Sequence, residues 1–141
     1  ATQNSLEKGA LGLMRLAAAF GPKLAENAVA WVNLLSLSAQ MATPGAAGYA
    51  AAQAATLSVA QSLRADMAQR GIRVINLFSG ALDHPAFAAA PPPKLPPQAL
   101  AKAVVAALQQ GLEDVYVGPE AEEFRDRMAK DPKAVERMMW G

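Results

Sequence analysis

The sequence predicts an α/β fold: about three parallel strands flanked by helices. Two observations predict it. Near-continuous apolar runs occur at residues 29–37 and 72–78, with a shorter one at 114–117, and helical patterns alternate with them. The order is helix–strand–helix–strand–helix–strand–helix, an alternation that carries the chain back over a face of the sheet after each strand. The 141 residues have the length of one domain and show no internal repeat. A chain of that size buries roughly two-thirds of its unfolded surface, enough for a core.

Each element has its own signal. Asn4 and Ser5 are candidate N-caps, with Glu7 in the first turn. Over 6–24, Leu6, Ala10, Leu13, Met14, Ala17, Phe20 and Leu24 recur at helical spacing, and Pro22 predicts a kink or a break. Residues 29–37 read as a strand buried on both faces. Thr43, Pro44 and Gly45 mark a loop. A second helix spans about 46–69 and stops at Arg70 and Gly71. Residues 72–78 are a second buried strand. The prolines at 91–93 and 96–97 argue against regular structure over 79–97. Pro97 suits the first position of a helix that ends at Gly111. A short strand at 114–117 and an exposed helix at 120–130 follow. Asp131 and Pro132 start a last turn through Met139, and Met138, Met139 and Trp140 form an apolar tip suited to docking.

Composition removes several functions. The net charge is +1 with scattered lysines and arginines, so nucleic acid and anionic membranes are not expected as partners. The chain has no cysteine, which excludes disulfides, thiolate chemistry and cysteine-bound zinc. His84 is the one histidine, so no metal site is expected. The longest apolar stretches stop well short of the ~20 residues that span a bilayer. No basic start followed by an apolar core reads as a signal peptide. A cytoplasmic protein is the expectation.

The stretch around the first strand carries the chemistry. Asn33, Leu34, Leu35 and Ser36 are followed by Tyr49, 13 residues after Ser36, and by Gln53, four residues after Tyr49. This segment resembles the active site of the short-chain dehydrogenase/reductase family, where a serine precedes a Tyr-x-x-x-Lys motif by this spacing. The likeness covers nearly the whole chain. Residues 9–19 are similar to the family's long helix before the active-site strand, and 31–36 to that strand. Residues 71–76 with 79–84 are similar to the next strand and its Pro-Gly-x-x-x-Thr loop.

The resemblance implies the C-terminal half of a Rossmann-like doubly wound parallel sheet, with residues 1–141 as a single partial domain. No Gly-x-x-x-Gly-x-Gly or Gly-x-Gly-x-x-Gly occurs, and Gly9 and Gly12 lie in a helical pattern rather than after a strand. The half that holds the dinucleotide phosphates is therefore expected to be absent. The edge of the 29–37 strand would then face nothing, an aggregation hazard unless a partner covers it. The implied partners are further copies, an active short-chain dehydrogenase/reductase, or the missing N-terminal half.

By the same resemblance Ser36, Tyr49 and Gln53 are the catalytic positions. Asn33, Gln53, Ser79, Gly80, Leu82 and His84 are the cofactor-binding ones, for NAD or NADP that this chain alone is not expected to bind. Gln53 stands where the family has lysine, Ser79 where it has proline, His84 where it has threonine, and Leu6 where its active-site asparagine is expected. A free phenol has a pKa near 10, so about one in a thousand is ionised at pH 7. A neighbouring ammonium lowers that value, whereas an amide donates a hydrogen bond without charge. His84 before Pro85 reads as an exposed loop histidine or as a substitute acid or base. Ala50, Ala51, Ala52, Ala54, Ala55 and Ala60 permit close helix packing, on the sheet or across the family's four-helix dimer interface.

Three readings of function follow. The first is a degenerate short-chain dehydrogenase/reductase subunit, structural or regulatory within a larger oxidoreductase assembly. The second is an active NAD(P)-dependent oxidoreductase interconverting a ketone and an alcohol through Ser36 and Tyr49, with its N-terminal half supplied separately. The third is a binding module that keeps the cleft for a small carbonyl compound without nicotinamide.

Overall fold

The computed structural model describes residues 1–27 and 30–139. Val29 of the expected first strand and Trp140 of the expected apolar tip lie outside the described residues. Strands β1 (Ala30–Ser36), β2 (Arg73–Ser79) and β3 (Asp114–Tyr116) form one parallel sheet in the order β1-β2-β3. Helices α1 (Thr2–Leu6) and α2 (Gly12–Asn27) precede β1, and α3 (Ala47–Ala68) joins β1 to β2. α4 (Pro97–Gln110) joins β2 to β3, and α5 (Pro119–Lys130) and α6 (Pro132–Met138) follow. The α/β alternation expected from the sequence is the architecture found.

Two apolar layers sandwich the sheet. On one face Leu35, Val74 and Phe78 meet Leu57, Leu63 and Met67 of α3, Leu13 of α2, and Phe124 and Val135 from the last two helices. Phe78 stacks on Tyr116 at 4.9 Å between ring centroids. On the other face Ile75 and Leu77 meet Leu100 and Ala107 of α4. β2 is buried at every position but Arg73, as a central strand should be. β1 departs from the expected two-sided burial: Leu34 is 59% exposed. α4 packs over β2, and Leu34 opens into a cleft.

The first helical segment differs from its sequence reading in two ways. Asn4 and Ser5 are not caps; the helix begins at Thr2 and they lie inside it, with the Ser5 hydroxyl donating to the Ala1 carbonyl at 3.3 Å. Packing on α3 extends it: a side chain at Gly48 would run into Thr2, and one at Gly9 would come within 2.5 Å of Thr56 Oγ1. The crossing depends on those glycines. A single π-helical turn, Glu7–Leu11, joins α1 to α2. Pro22 does not break α2, which runs on to Asn27. Pro22 removes one backbone hydrogen bond, and Leu24, packed against the core, holds the last turn in place.

Other boundaries follow their signals. Pro97 is the first residue of α4, and Gly111 ends it in the left-handed conformation (φ 69°). Asp131 caps α6 by accepting from the Lys133 and Ala134 amides. Residues 79–97 hold more structure than expected. Pro85–Phe87 is a short 3-10 turn, and Leu82 bridges to Leu95, with the Leu95 amide donating to the Ala81 carbonyl at 2.8 Å. The prolines leave Leu95 free to make that bridge.

A polar row crosses the first face of the sheet. Asn33, Asn76 and Asp114 are direct neighbours in the strand register. Trp31 Nε1 donates to Asn33 Oδ1 at 2.8 Å, Asn33 Nδ2 donates to Asn76 Oδ1 at 2.9 Å, and Arg64 from α3 pairs with Asp114 at 2.5 Å. Asn76 is fully buried and Asn33 nearly so. Asn76→Ala would leave the Asn33 amide buried without its acceptor, a loss of about 1–3 kcal/mol. Urea unfolding should show that loss, and a double variant with Asn33→Leu should lose less than the sum of the single changes. Additive losses would show that the two amides do not act as a pair.

Candidate functional site

Parallel strands end on the same side, so the loops that follow them meet there. Ser36 ends β1 and Ser79 ends β2, and the two are paired in register. Ser36 Oγ accepts from the Ser38 amide at 3.1 Å, which caps the short turn Leu37–Ala39. The hydroxyl keeps its proton to donate elsewhere. Tyr49 lies in the first turn of α3 and is 40% exposed. Gln53 follows one helical turn later, so both side chains sit on one face of α3.

Ser36, Tyr49, Gln53, Ser79, Gly80 and Leu82 all line one cleft of about 710 Å³. That volume suits a small molecule or part of a cofactor. Leu34, Leu35, Leu37, Met41, Phe87 and Leu100 make its walls largely apolar. No Lys, Arg or His side chain lines it among the described residues. The Ser36, Tyr49 and Ser79 hydroxyls and the Gln53 amide thus share a largely apolar cleft, a set able to hold a carbonyl or alcohol oxygen, with a phenol able to pass a proton.

Three positions noted in the sequence lie elsewhere. Asn33 points into the polar row under α3, where its amide is already engaged. His84 is exposed; its Nδ1 accepts from the Ala86 amide at 3.1 Å and caps the turn over Pro85–Phe87. Leu6 closes α1, outside the cleft lining. Thr43 and Glu120 are among the lining residues that escaped the sequence reading. Thr43 Oγ1 is buried with no hydrogen-bond partner among the described residues. Glu120 opens α5 just beyond β3 and is the one charged residue in the lining among the described residues. The rule that parallel strand ends converge could have flagged it.

Comparison with known proteins agrees with this geometry. A family model described as Enoyl-(Acyl carrier protein) reductase matches residues 2–113. A short-chain dehydrogenase from Burkholderia cenocepacia, solved in complex with NADP, superposes with a TM-score of 0.94 at 33% identity. The match covers 100% of this chain and 60% of that one. The 1-deoxy-11-beta-hydroxypentalenate dehydrogenase of Streptomyces exfoliatus is 42% identical over 72 residues, 50% of this chain and 26% of that protein. A short-chain dehydrogenase from Streptomyces avermitilis shares the fold, with a TM-score of 0.72 at 24% identity over 89% of this chain and 55% of that one. The chain thus spans less than two-thirds of the length of these relatives. The family match over most of its residues, with the Ser36 and Tyr49 cleft at the strand ends, establishes that the chain belongs to the short-chain dehydrogenase/reductase family.

Proposed function

We propose that this chain carries the substrate and nicotinamide side of a ketone–alcohol oxidoreductase site that Gln53 renders weak or silent at neutral pH, and that it works as a structural or regulatory subunit of a larger assembly. One observation carries the reading: Gln53 lies in the cleft with Ser36 and Tyr49, and no cationic side chain lines that cleft among the described residues. Ser36 would hold the substrate oxygen and Tyr49 would exchange its proton. Without an ammonium beside it, the phenolate form has no charge to stabilise it. Gln53 keeps a hydrogen-bond donor there and nothing more.

The cleft fits the nicotinamide end of NAD or NADP, since Gln53, Ser79, Gly80 and Leu82 line it beside the two hydroxyls. The cofactor would supply or accept the hydride. A cradle for its phosphates is not written in these residues, because the sequence holds no glycine-rich pyrophosphate motif. Those contacts would come from other residues of the assembly. The 141-residue chain alone should therefore show no saturable quenching of its tryptophan fluorescence by NAD(P)H up to high micromolar concentration. Micromolar binding would refute that division of labour.

Assembly is supported by two surfaces. The outer edge of β1 has no neighbouring strand among the described residues, and an apolar open edge invites pairing. Leu11 at the end of the π-helical turn and Met14, Leu16 and Phe20 on α2 are also exposed. Further strands, from this or another polypeptide, would cover the first surface. Copies of the chain or an active family member would cover the second. Light scattering on the 141-residue chain at micromolar concentration should report a dimer or larger species. A stable monomer with cooperative unfolding would overturn the proposal of self-association.

The decisive experiment concerns Gln53. In the complete assembly, Gln53→Lys should raise carbonyl reduction at pH 7 by about tenfold or more. Tyr49→Phe should abolish activity in both that variant and the unaltered protein. Strong activity at pH 7 that Tyr49→Phe removes and Gln53→Lys leaves unchanged would make this an active ketone–alcohol oxidoreductase instead.

A further inference from the structure

The cleft has a charge that the family's catalytic positions do not account for. Glu120 opens α5, and its carboxylate lies against Gly80, where β2 hands the chain to the cleft wall. A Cβ built on Gly80 would fall 2.9 Å from Glu120 Cδ and 3.3 Å from Oε1. Gly80 is not among the glycines with positive φ, so its backbone conformation does not require glycine. A side chain there would displace only the end of the flexible Glu120 side chain. An acidic residue in the first turn of a helix has a general explanation in the helix dipole, and Glu122 shares that position on α5. The dipole accounts for a carboxylate at this turn but not for its place in the cleft lining beside Gly80.

Glu120 takes part in none of the salt bridges or side-chain hydrogen bonds found among the described residues. The cleft it lines is otherwise apolar or neutral. An uncompensated carboxylate at the rim of such a space repels anions and attracts cations and hydrogen-bond donors.

We infer that Glu120 is a specificity-determining residue of the cleft, selecting carbonyl compounds that carry a protonated amine, or failing that a neutral hydrogen-bond donor, over those that carry a carboxylate. The inference rests on the reading of this cleft as a carbonyl-binding site. It does not require that the site turn over. Glu120 makes no bond to the reacting atoms in this scheme; it acts on the far end of the ligand.

The test measures equilibrium binding to the complete protein of three probes that share one ketone and differ in charge: 4-acetylbenzylammonium, acetophenone and 4-acetylbenzoate. The cation should bind tighter than the anion by roughly tenfold at low salt, each charge contributing about three- to fivefold relative to acetophenone. The ratio should shrink as ionic strength rises. In Glu120→Gln, an exposed and isosteric change that leaves the thermal midpoint in place, the ratio should fall to about one. Glu120→Lys should reverse it. Equal binding of all three probes by the unaltered protein, or a cation preference that survives Glu120→Gln, overturns this inference alone. Failure of every probe to bind overturns it together with the carbonyl-site reading.

Discussion

The buried contact between Asn33 and Asn76 is the constraint on which the site depends. The two amides sit opposite each other in adjacent parallel strands, 2.9 Å apart and out of reach of water. A buried amide without its partner costs about 1–3 kcal/mol, so pairings that separate these two residues are penalised. A slip of one residue would also turn the apolar set of β1 to the wrong face. The same register sets Ser36 beside Ser79 three residues further on. The floor of the cleft is thus held by a hydrogen bond that takes no part in its chemistry. Arg64 extends the constraint by pairing with Asp114 and donating to the Val74 and Glu113 carbonyls, which ties α3 to the far strands.

α3 is the second positioning element, because it carries Tyr49 and Gln53. Its N-terminal part is set by contact with α1 and the π-helical turn, where Gly48 meets Thr2 and Gly9 meets Thr56. Thr56 turns its hydroxyl to the Ala52 carbonyl at 2.8 Å, so a polar side chain sits in a tight helix crossing without an unpaired group. Close packing of this kind transmits displacement, since protein interiors have little free volume. A change that separates α1 from α3 would move the turn that bears Tyr49 relative to Ser36, which rides on the sheet.

Two features of the cleft act in one electrostatic direction. Gln53 removes a positive charge at a position where the family has lysine. Glu120 places a negative charge in the first turn of α5, just beyond β3. Both make the space less hospitable to an anion, whether a phenolate at Tyr49 or a carboxylate on a ligand. That coincidence links the Gln53 reading to the Glu120 inference, although each is open to its own test.

Much of this molecule was legible in the linear chain. The alternation of apolar runs with helical patterns dictated the parallel α/β order, since a buried central strand needs apolar residues on both faces. Pro97, Gly111 and Asp131 marked helix ends through backbone chemistry that acts locally, and the interval from Ser36 to Tyr49 to Gln53 marked the cleft. Tertiary contact decided the rest. Asn4 and Ser5 had the chemistry of caps but became helix interior, because packing on α3 extended the helix beyond its local signal. Asn33 and His84 had polar groups suited to a cofactor, yet the neighbouring strand engaged one and a local turn the other. Glu120 entered the cleft although it lies far from Gly80 in sequence. No local pattern records that approach; it arises only when parallel strands bring their C-terminal ends to one edge of the sheet.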